Sequence, residues 1–176
     1  MSAALPFGDY CARVEERIER HYGIHIVTRD IPDPLTGDLD GAEIHVDYSL
    51  SPEQRLFLLA HLFGHTVQWN VDPNAFAMGA PRIPVEEELL QPLLAYELQA
   101  ASYGLALLHE AGATDADQWF SDYSACDQAY LSHFYRTGEK KDFQSCWRDG
   151  TPSLDPQAPP AFIPTKHPSR MDGVVI

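Results

Sequence analysis

Ser51-Pro52-Glu53-Gln54-Arg55-Leu56-Phe57-Leu58-Leu59-Ala60-His61-Leu62-Phe63-Gly64-His65-Thr66-Val67-Gln68-Trp69 is the stretch on which the fold turns. Serine can cap a helix, proline suits its first turn, and a first-turn glutamate complements the positive end of the helix dipole. The residues that follow are apolar on nearly every side, with Leu56, Phe57, Leu58, Leu59, Leu62, Phe63 and Val67 leaving no face for water. Such a helix is buried. It nevertheless carries His61 and His65, four residues apart and so on one face. At that spacing two imidazoles can share one metal ion. Buried imidazoles need partners, and a metal would satisfy one nitrogen of each ring, leaving the other for a carbonyl or carboxylate.

On the N-terminal side, residues from about Pro6 to Tyr22 place Val14, Ile18 and Tyr22 on one helical stripe, and Gly23 follows as a helix stop. Arg13, Arg17 and Arg20 alternate with Glu15, Glu16 and Glu19, which reads as a solvated face of mixed charge. Ile24 to Thr28 and Ala42 to Asp47 are short strands by composition. A third strand is expected near Leu35 to Leu39, amid the turn signals Asp33-Pro34, Thr36-Gly37-Asp38 and Asp40-Gly41. A helix and a small sheet thus precede the buried helix.

On the C-terminal side a loop from Asn70 to Pro84 leads into a second long helix, about Val85 to Glu110, in which Pro92 implies a kink or a restart. Glu97 shares its face with Leu90, Leu94, Ala101, Gly104 and Leu108, a stripe meant for the core. A carboxylate there must be neutral, paired or metal-bound. Ala100, Ala101 and Gly104 are small enough to let a neighbour approach at the depth of Glu97. If that neighbour is the His61/His65 helix, two imidazoles and one carboxylate converge as a three-ligand zinc site with a fourth position for water. The residues alone leave a metal-free hydrogen-bonded cluster equally open. A third helical region, about residues 114 to 136, carries Trp119, Phe120, Tyr123, Tyr130 and Phe134 at core spacing. From Thr151 to Pro168 six prolines imply an extended, mobile tail.

The composition narrows the function. The chain has 176 residues, 26 acidic against 12 basic, and a formal net charge of −14. That charge repels phosphate backbones and anionic lipid, so direct nucleic-acid or membrane binding is disfavoured. No run approaches the length of a membrane-spanning helix, and Met1 to Tyr10 lacks the basic and apolar parts of a signal peptide. Cys11, Cys126 and Cys146 are too irregularly spaced for a disulfide framework and read as reduced thiols in a cytoplasm. Among the other histidines, His25 and His45 are expected at a surface or sheet edge. His109 suits a helix C-terminus, and His21, His133 and His167 are expected to face solvent. Trp69 is expected to pack rather than to line a metal pocket.

Gly23-Ile24-His25-Ile26-Val27, the stretch from Asp38 to Val46, and Ser51 through His61 resemble the ImmA/IrrE metallopeptidase-like family, over residues 10 to 110. The resemblance implies a zincin-like fold, in which a sheet and a metal-binding helix are followed by a second helix giving the third ligand. The family's His-Glu-x-x-His is met by His61-Leu62-Phe63-Gly64-His65, with Gly64 where the family usually has glycine. Its Glu-x-x-Ala-Asp is met by Glu97-Leu98-Gln99-Ala100-Ala101. Leu62 therefore stands where the family's glutamate moves protons for the zinc-bound water and the leaving amine, a loss of about 10²–10⁴ in rate. Ala101 stands where the family often has an aspartate, and losing a carboxylate that orients a ligand costs about 10–100-fold in metal affinity. Glu86, Glu87 and Glu88 lie about 15 Å along the helix from Glu97, and Glu53 about two turns from His61, too far to substitute. Tyr96 and Tyr103 flank Glu97 but are no bases at neutral pH.

The combined expectation is an α+β protein of zincin-like architecture, one domain over residues 1–150 with a Pro-rich tail over 151–176. It would hold one zinc ion through His61, His65 and Glu97, with no catalytic residue in the usual place. Its function would be binding or regulation, with a protein or peptide in the former substrate cleft, rather than efficient proteolysis. Two other readings stay open: a zinc hydrolase with a non-standard base, and a metal-free structural or interaction domain.

Overall fold

The computed structural model describes residues 4–33 and 35–168. Residues 1–3 of the leader reading, the proline of the Asp33-Pro34 turn and the tail beyond residue 168 lie outside the described residues. Among the described residues, five α-helices and a three-stranded sheet make an α+β fold. No helix among them is long and apolar enough to cross a membrane.

Helix α1 (Phe7–Tyr22) ends where Gly23 takes a φ of 70°, its N–H bonding to the Glu19 carbonyl and the Ile24 N–H to that of Ile18. Glycine adopts that left-handed conformation without a Cβ penalty, so β1 (His25–Arg29) starts two residues later. With β2 (Gly37–Leu39) and β3 (Glu43–Asp47) it forms a sheet of order β1-β3-β2. β1 runs parallel to β3, with Ile26 opposite Ile44, while β2 is antiparallel, with Leu39 opposite Ile44. His45 therefore sits on the central strand, half-buried and bonded to Glu43 at 3.0 Å, not at an edge as expected. Of the charges on α1, Arg13, Glu16, Glu19 and Arg20 are exposed, as their alternation implied, while Glu15 and Arg17 are half-buried. Arg17 pairs with Glu110 at 2.8 Å, and Glu15 pairs with Arg55 at 2.6 Å, each tying α1 to another helix.

Helix α2 (Pro52–Val71) opens with a reciprocal cap. Ser51 Oγ accepts from the Gln54 N–H at 3.2 Å, and Gln54 Oε1 accepts from the Ser51 N–H at 3.1 Å. Every residue from Leu56 to Gln68 is buried, as the all-round apolar pattern requires. After a short α3 (Ala75–Met78), α4 (Glu87–Glu110) begins two residues later than expected. Val85 is held outside it, because its N–H bonds to the carbonyl of Tyr135 at 2.8 Å. α4 does not restart at Pro92, whose exposed position leaves the freed carbonyl one turn back to water. Helix α5 (Asp117–Thr137) then packs across α4.

α2 and α4 are antiparallel and touch backbone to backbone. A Cβ added at Gly64 would lie 2.0 Å from the carbonyl oxygen of Ala100, and one at Gly104 would lie 2.7 Å from that of Ala60. The small residues are what bring the two helices to this distance.

The Pro-rich segment has no helix or strand over 151–168, yet it is fastened rather than loose. The Asp122 carboxylate accepts from the N–H groups of Gly150 (3.1 Å) and Thr151 (2.8 Å) and from the Thr151 hydroxyl (2.7 Å). The segment is tied again to the carbonyl of Ser102 through Gln157, to Asn70 Oδ1 through Thr165, and to the carbonyl of Asp40 through His167. The His167 ring stacks on Phe76 with centroids 4.7 Å apart and is half-buried, which corrects its expected exposure. His133 is half-buried as well, while His21 is exposed.

Two tests follow from this packing. Gly64→Ala should cost about 3 kcal/mol or more, because a backbone clash forces α2 and α4 apart, read as a fall in the denaturant midpoint. At Asp122 burial alone would raise the pKa, but its hydrogen bonds outweigh burial and hold the carboxyl below its ordinary value. A carboxylate so held stabilises the fold above its unfolded value near pH 4, and that stabilisation is lost as pH falls through the depressed value. Limited proteolysis at pH 7 should therefore leave the 151–168 segment intact in the wild type and cleave it in Asp122→Asn.

Candidate metal centre

The contact of α2 with α4 places His61 and His65 against Glu97, so the three residues singled out from the sequence are brought together. As residues they are 4%, 5% and 6% exposed. His65 Nε2 is 3.0 Å from Glu97 Oε2 and 3.1 Å from His61 Nε2, and His61 Nε2 is 3.3 Å from the same carboxylate oxygen. Each residue offers one ligand atom, all within 4.8 Å of one another. A tetrahedral metal with bonds of about 2.0–2.1 Å separates its ligand atoms by about 3.3 Å. The observed triangle has nearly that size.

Neighbouring hydrogen bonds orient the three side chains. Gln68 Nε2 donates to the Tyr96 carbonyl at 2.8 Å and to Gln99 Oε1 at 2.9 Å. A backbone carbonyl only accepts, so the Gln68 amide is oriented and its Oε1 faces His65 Nδ1 at 2.9 Å. His65 Nδ1 is therefore the donor, and in the neutral ring Nε2 carries a lone pair. That lone pair points at a carboxylate oxygen and at a second imidazole. A metal ion would make all three atoms donors to one centre, whereas without one a proton on His61 Nε2 must join them. The donor set fits a divalent metal.

In the metal-free protein the same crowding shifts the charges. Burial would raise the Glu97 pKa, but the imidazoles of His65 and His61 outweigh it and hold the carboxyl far below its usual range. Burial would lower His61, but its hydrogen bond to the Glu97 carboxylate and the charges of Asp127 and Glu97 raise it overall.

Three residues of the site were not anticipated. Gln68 orients His65, and the Tyr135 hydroxyl donates to Glu97 Oε1 at 2.9 Å, leaving Oε2 for the imidazoles. These contacts supply orientation that Ala101, buried in the core, does not. Asp127, on α5, is 4% exposed and interacts electrostatically with His61 and Glu97. Its signal was present in the sequence. Tyr123, Asp127, Leu131 and Tyr135 form an i+4 ridge of α5, so Asp127 is a carboxyl on a core stripe, the same anomaly that exposed Glu97.

The remaining candidates fall elsewhere. Leu62 is fully buried toward the sheet, its Cδ1 3.0 Å from where a Cβ on Gly37 would stand. Glu53 accepts from Trp119 Nε1 at 2.8 Å, and Glu87 pairs with Arg136. Tyr103 accepts from Gln157 in the C-terminal segment, while the Tyr96 ring lies 4.7 Å from that of His65. Trp69 packs against Phe76 and donates to the Tyr96 hydroxyl.

Burial pushes the Asp127 carboxyl up to about 7, the charge of Glu97 adding to the effect and that of His61 opposing it. A carboxyl raised in the folded state favours folding less as pH climbs from its unfolded value near 4 to its folded value. In chelator-treated protein, Asp127→Asn should therefore be more stable than the wild type at pH 8, by as much as about 4 kcal/mol. The gap should shrink at pH 5, as read from urea midpoints at the two pH values.

No protein-family model and no curated protein matches the chain. Among solved structures, a Mycobacterium tuberculosis transcriptional regulator is similar at 17% sequence identity over 81% of this chain, with a TM-score of 0.36. The chain spans 41% of that regulator's length.

Proposed function

We propose that this protein is a divalent-metal protein of ImmA/IrrE-like, zincin-like design that holds one zinc ion through His61, His65 and Glu97. One observation carries the reading: the lone pair of His65 Nε2, fixed by Gln68, aims at Glu97 Oε2 and His61 Nε2 at 3.0 and 3.1 Å. Two imidazoles and a carboxylate suit zinc, which takes nitrogen and oxygen ligands in a tetrahedral set. Bound there, zinc supplies Lewis acidity. Gln68 and Tyr135 hold the ligand atoms in place, and Phe57, stacked on His61 at 5.6 Å, packs against the ring.

The function that goes with this site is binding or regulation in the cytoplasm, with a protein or peptide as partner, rather than efficient proteolysis. Leu62 supports this limit, because α2 presents a core side chain where a peptidase of this design needs a proton-transferring carboxylate. The net charge of −14 keeps nucleic acid out of the proposal.

Elemental analysis of untagged protein tests the assignment. About one zinc per chain is expected, with little or none in His61→Ala. Tyr135→Phe should keep the stoichiometry and weaken affinity about 10–100-fold, the usual cost of losing an outer partner. A wild type that stays metal-free after incubation with zinc, and whose melting is unchanged by a chelator, would leave the residues as a structural cluster.

A further inference from the structure

Away from the metal centre, a cavity of about 200 Å³ is walled by Thr36 at the start of β2, by Gln54 and Leu58 of α2 and by Tyr123 of α5. None of His61, His65 and Glu97 lines it. One of its wall residues carries an anomaly. The Thr36 hydroxyl is buried and has no hydrogen-bond partner among the described residues. The Thr36 backbone is held in place, because its carbonyl accepts from the Asp47 N–H at 2.9 Å. Buried polar groups in native proteins are nearly always paired, so an unpaired hydroxyl on a cavity wall points to something that occupies the cavity.

Water alone is a poor occupant. One water takes up about 30 Å³ and wants 2–4 polar partners, so pairing one hydroxyl needs only a small part of this space. Leu50, Leu58 and Phe143 give the rest of the cavity apolar walls. Those walls are also preformed. The Tyr123 ring stacks on Phe57 with centroids 4.0 Å apart, meets Trp147 edge-on at 5.6 Å and lies 5.5 Å from Phe143. Phe143 opens a short 3₁₀ turn (Phe143–Cys146), and its carbonyl accepts from the Cys126 thiol at 3.2 Å. A rigid wall costs little to reorganise on binding.

The walls also set the class of ligand. No charged side chain lines the cavity, so a cation would lose its hydration with no carboxylate to pair it. The net charge of −14 disfavours an anion. Aromatic walls suit a ring, and a cavity of about 150 Å³ already holds benzene. We propose that this cavity is a binding site for a small neutral aromatic alcohol, a single ring lying against Tyr123 and Phe143 with its hydroxyl paired to that of Thr36. The site is independent of the metal reading, since it shares no residue with the triad.

Fluorine NMR titration of the full chain with 4-fluorophenol tests this. The wild type should bind one equivalent saturably, with a Kd of about 1 mM or tighter, the range open to so small a ligand. Fluorobenzene, which leaves Thr36 unpaired, and 4-fluorobenzoate, which is charged, should each bind more weakly. Thr36→Val removes the hydroxyl at nearly constant shape. It should weaken 4-fluorophenol about 3–10-fold, the loss of one hydrogen bond, and leave fluorobenzene as tight as before. Thr36→Ser restores the hydroxyl and should restore the preference for 4-fluorophenol over fluorobenzene. A wild type without saturable binding overturns the site. So does a Thr36→Val that binds 4-fluorophenol as tightly as the wild type, or a Thr36→Ser that shows no preference for it.

Discussion

The structure depends on one close approach. At Gly64 and Gly104 the backbones of α2 and α4 meet with no room for a side chain, and everything at the candidate centre is measured from that contact. Helices with ordinary side chains between them sit about 8–10 Å apart. At such a distance Glu97 would reach the imidazoles only by abandoning its own helix face. With glycine and alanine at the interface, a carboxylate from one helix and two imidazoles from the other occupy the same few ångströms. The contact also explains why so apolar a helix carries histidines at all: the polar atoms face one another, not the core.

A close approach alone would leave the ligand atoms without a fixed direction. The structure answers it with hydrogen bonds from outside the triad, Gln68 on His65 and Tyr135 on Glu97, each of which fixes the direction of a lone pair. These outer contacts come from two different elements. α2 carries its own orienting residue one turn past His65, whereas the partner of Glu97 comes from α5. Helix α5 is therefore part of the candidate site and not an appendage to it.

Much of this was legible in the sequence. The capping residues at Ser51 and Gln54, the unbroken apolar surface of α2 and the misplaced carboxylate at Glu97 each carry a local signal that survives folding. So do the small residues on α4, which announce a close neighbour without naming it. Other features have no local signal. Nothing near His45 says that its strand is central, because strand order is set by long-range pairing. The fastening of residues 151–168 depends on Asp122, Ser102 and Asn70, scattered over three helices. Asp127 is the intermediate case. Its ridge on α5 was readable, but its significance depends on knowing that this ridge faces α2 and α4, which only the packing reveals.

The fastened C-terminal segment has a consequence for rates rather than for shape. Its anchors on α5, α4, α2 and the turn before β3 join residues far apart in the chain, the pair Asn70 and Thr165 being separated by 95 positions. Contacts of such long range close late, since the loops they complete carry the largest entropy cost. Interactions that form after the folding transition state do little for the speed of folding and instead slow the reverse reaction. A segment fastened by contacts that close late would act as a barrier to opening, holding the helices that carry His61, His65 and Glu97 together for longer than equilibrium stability alone requires.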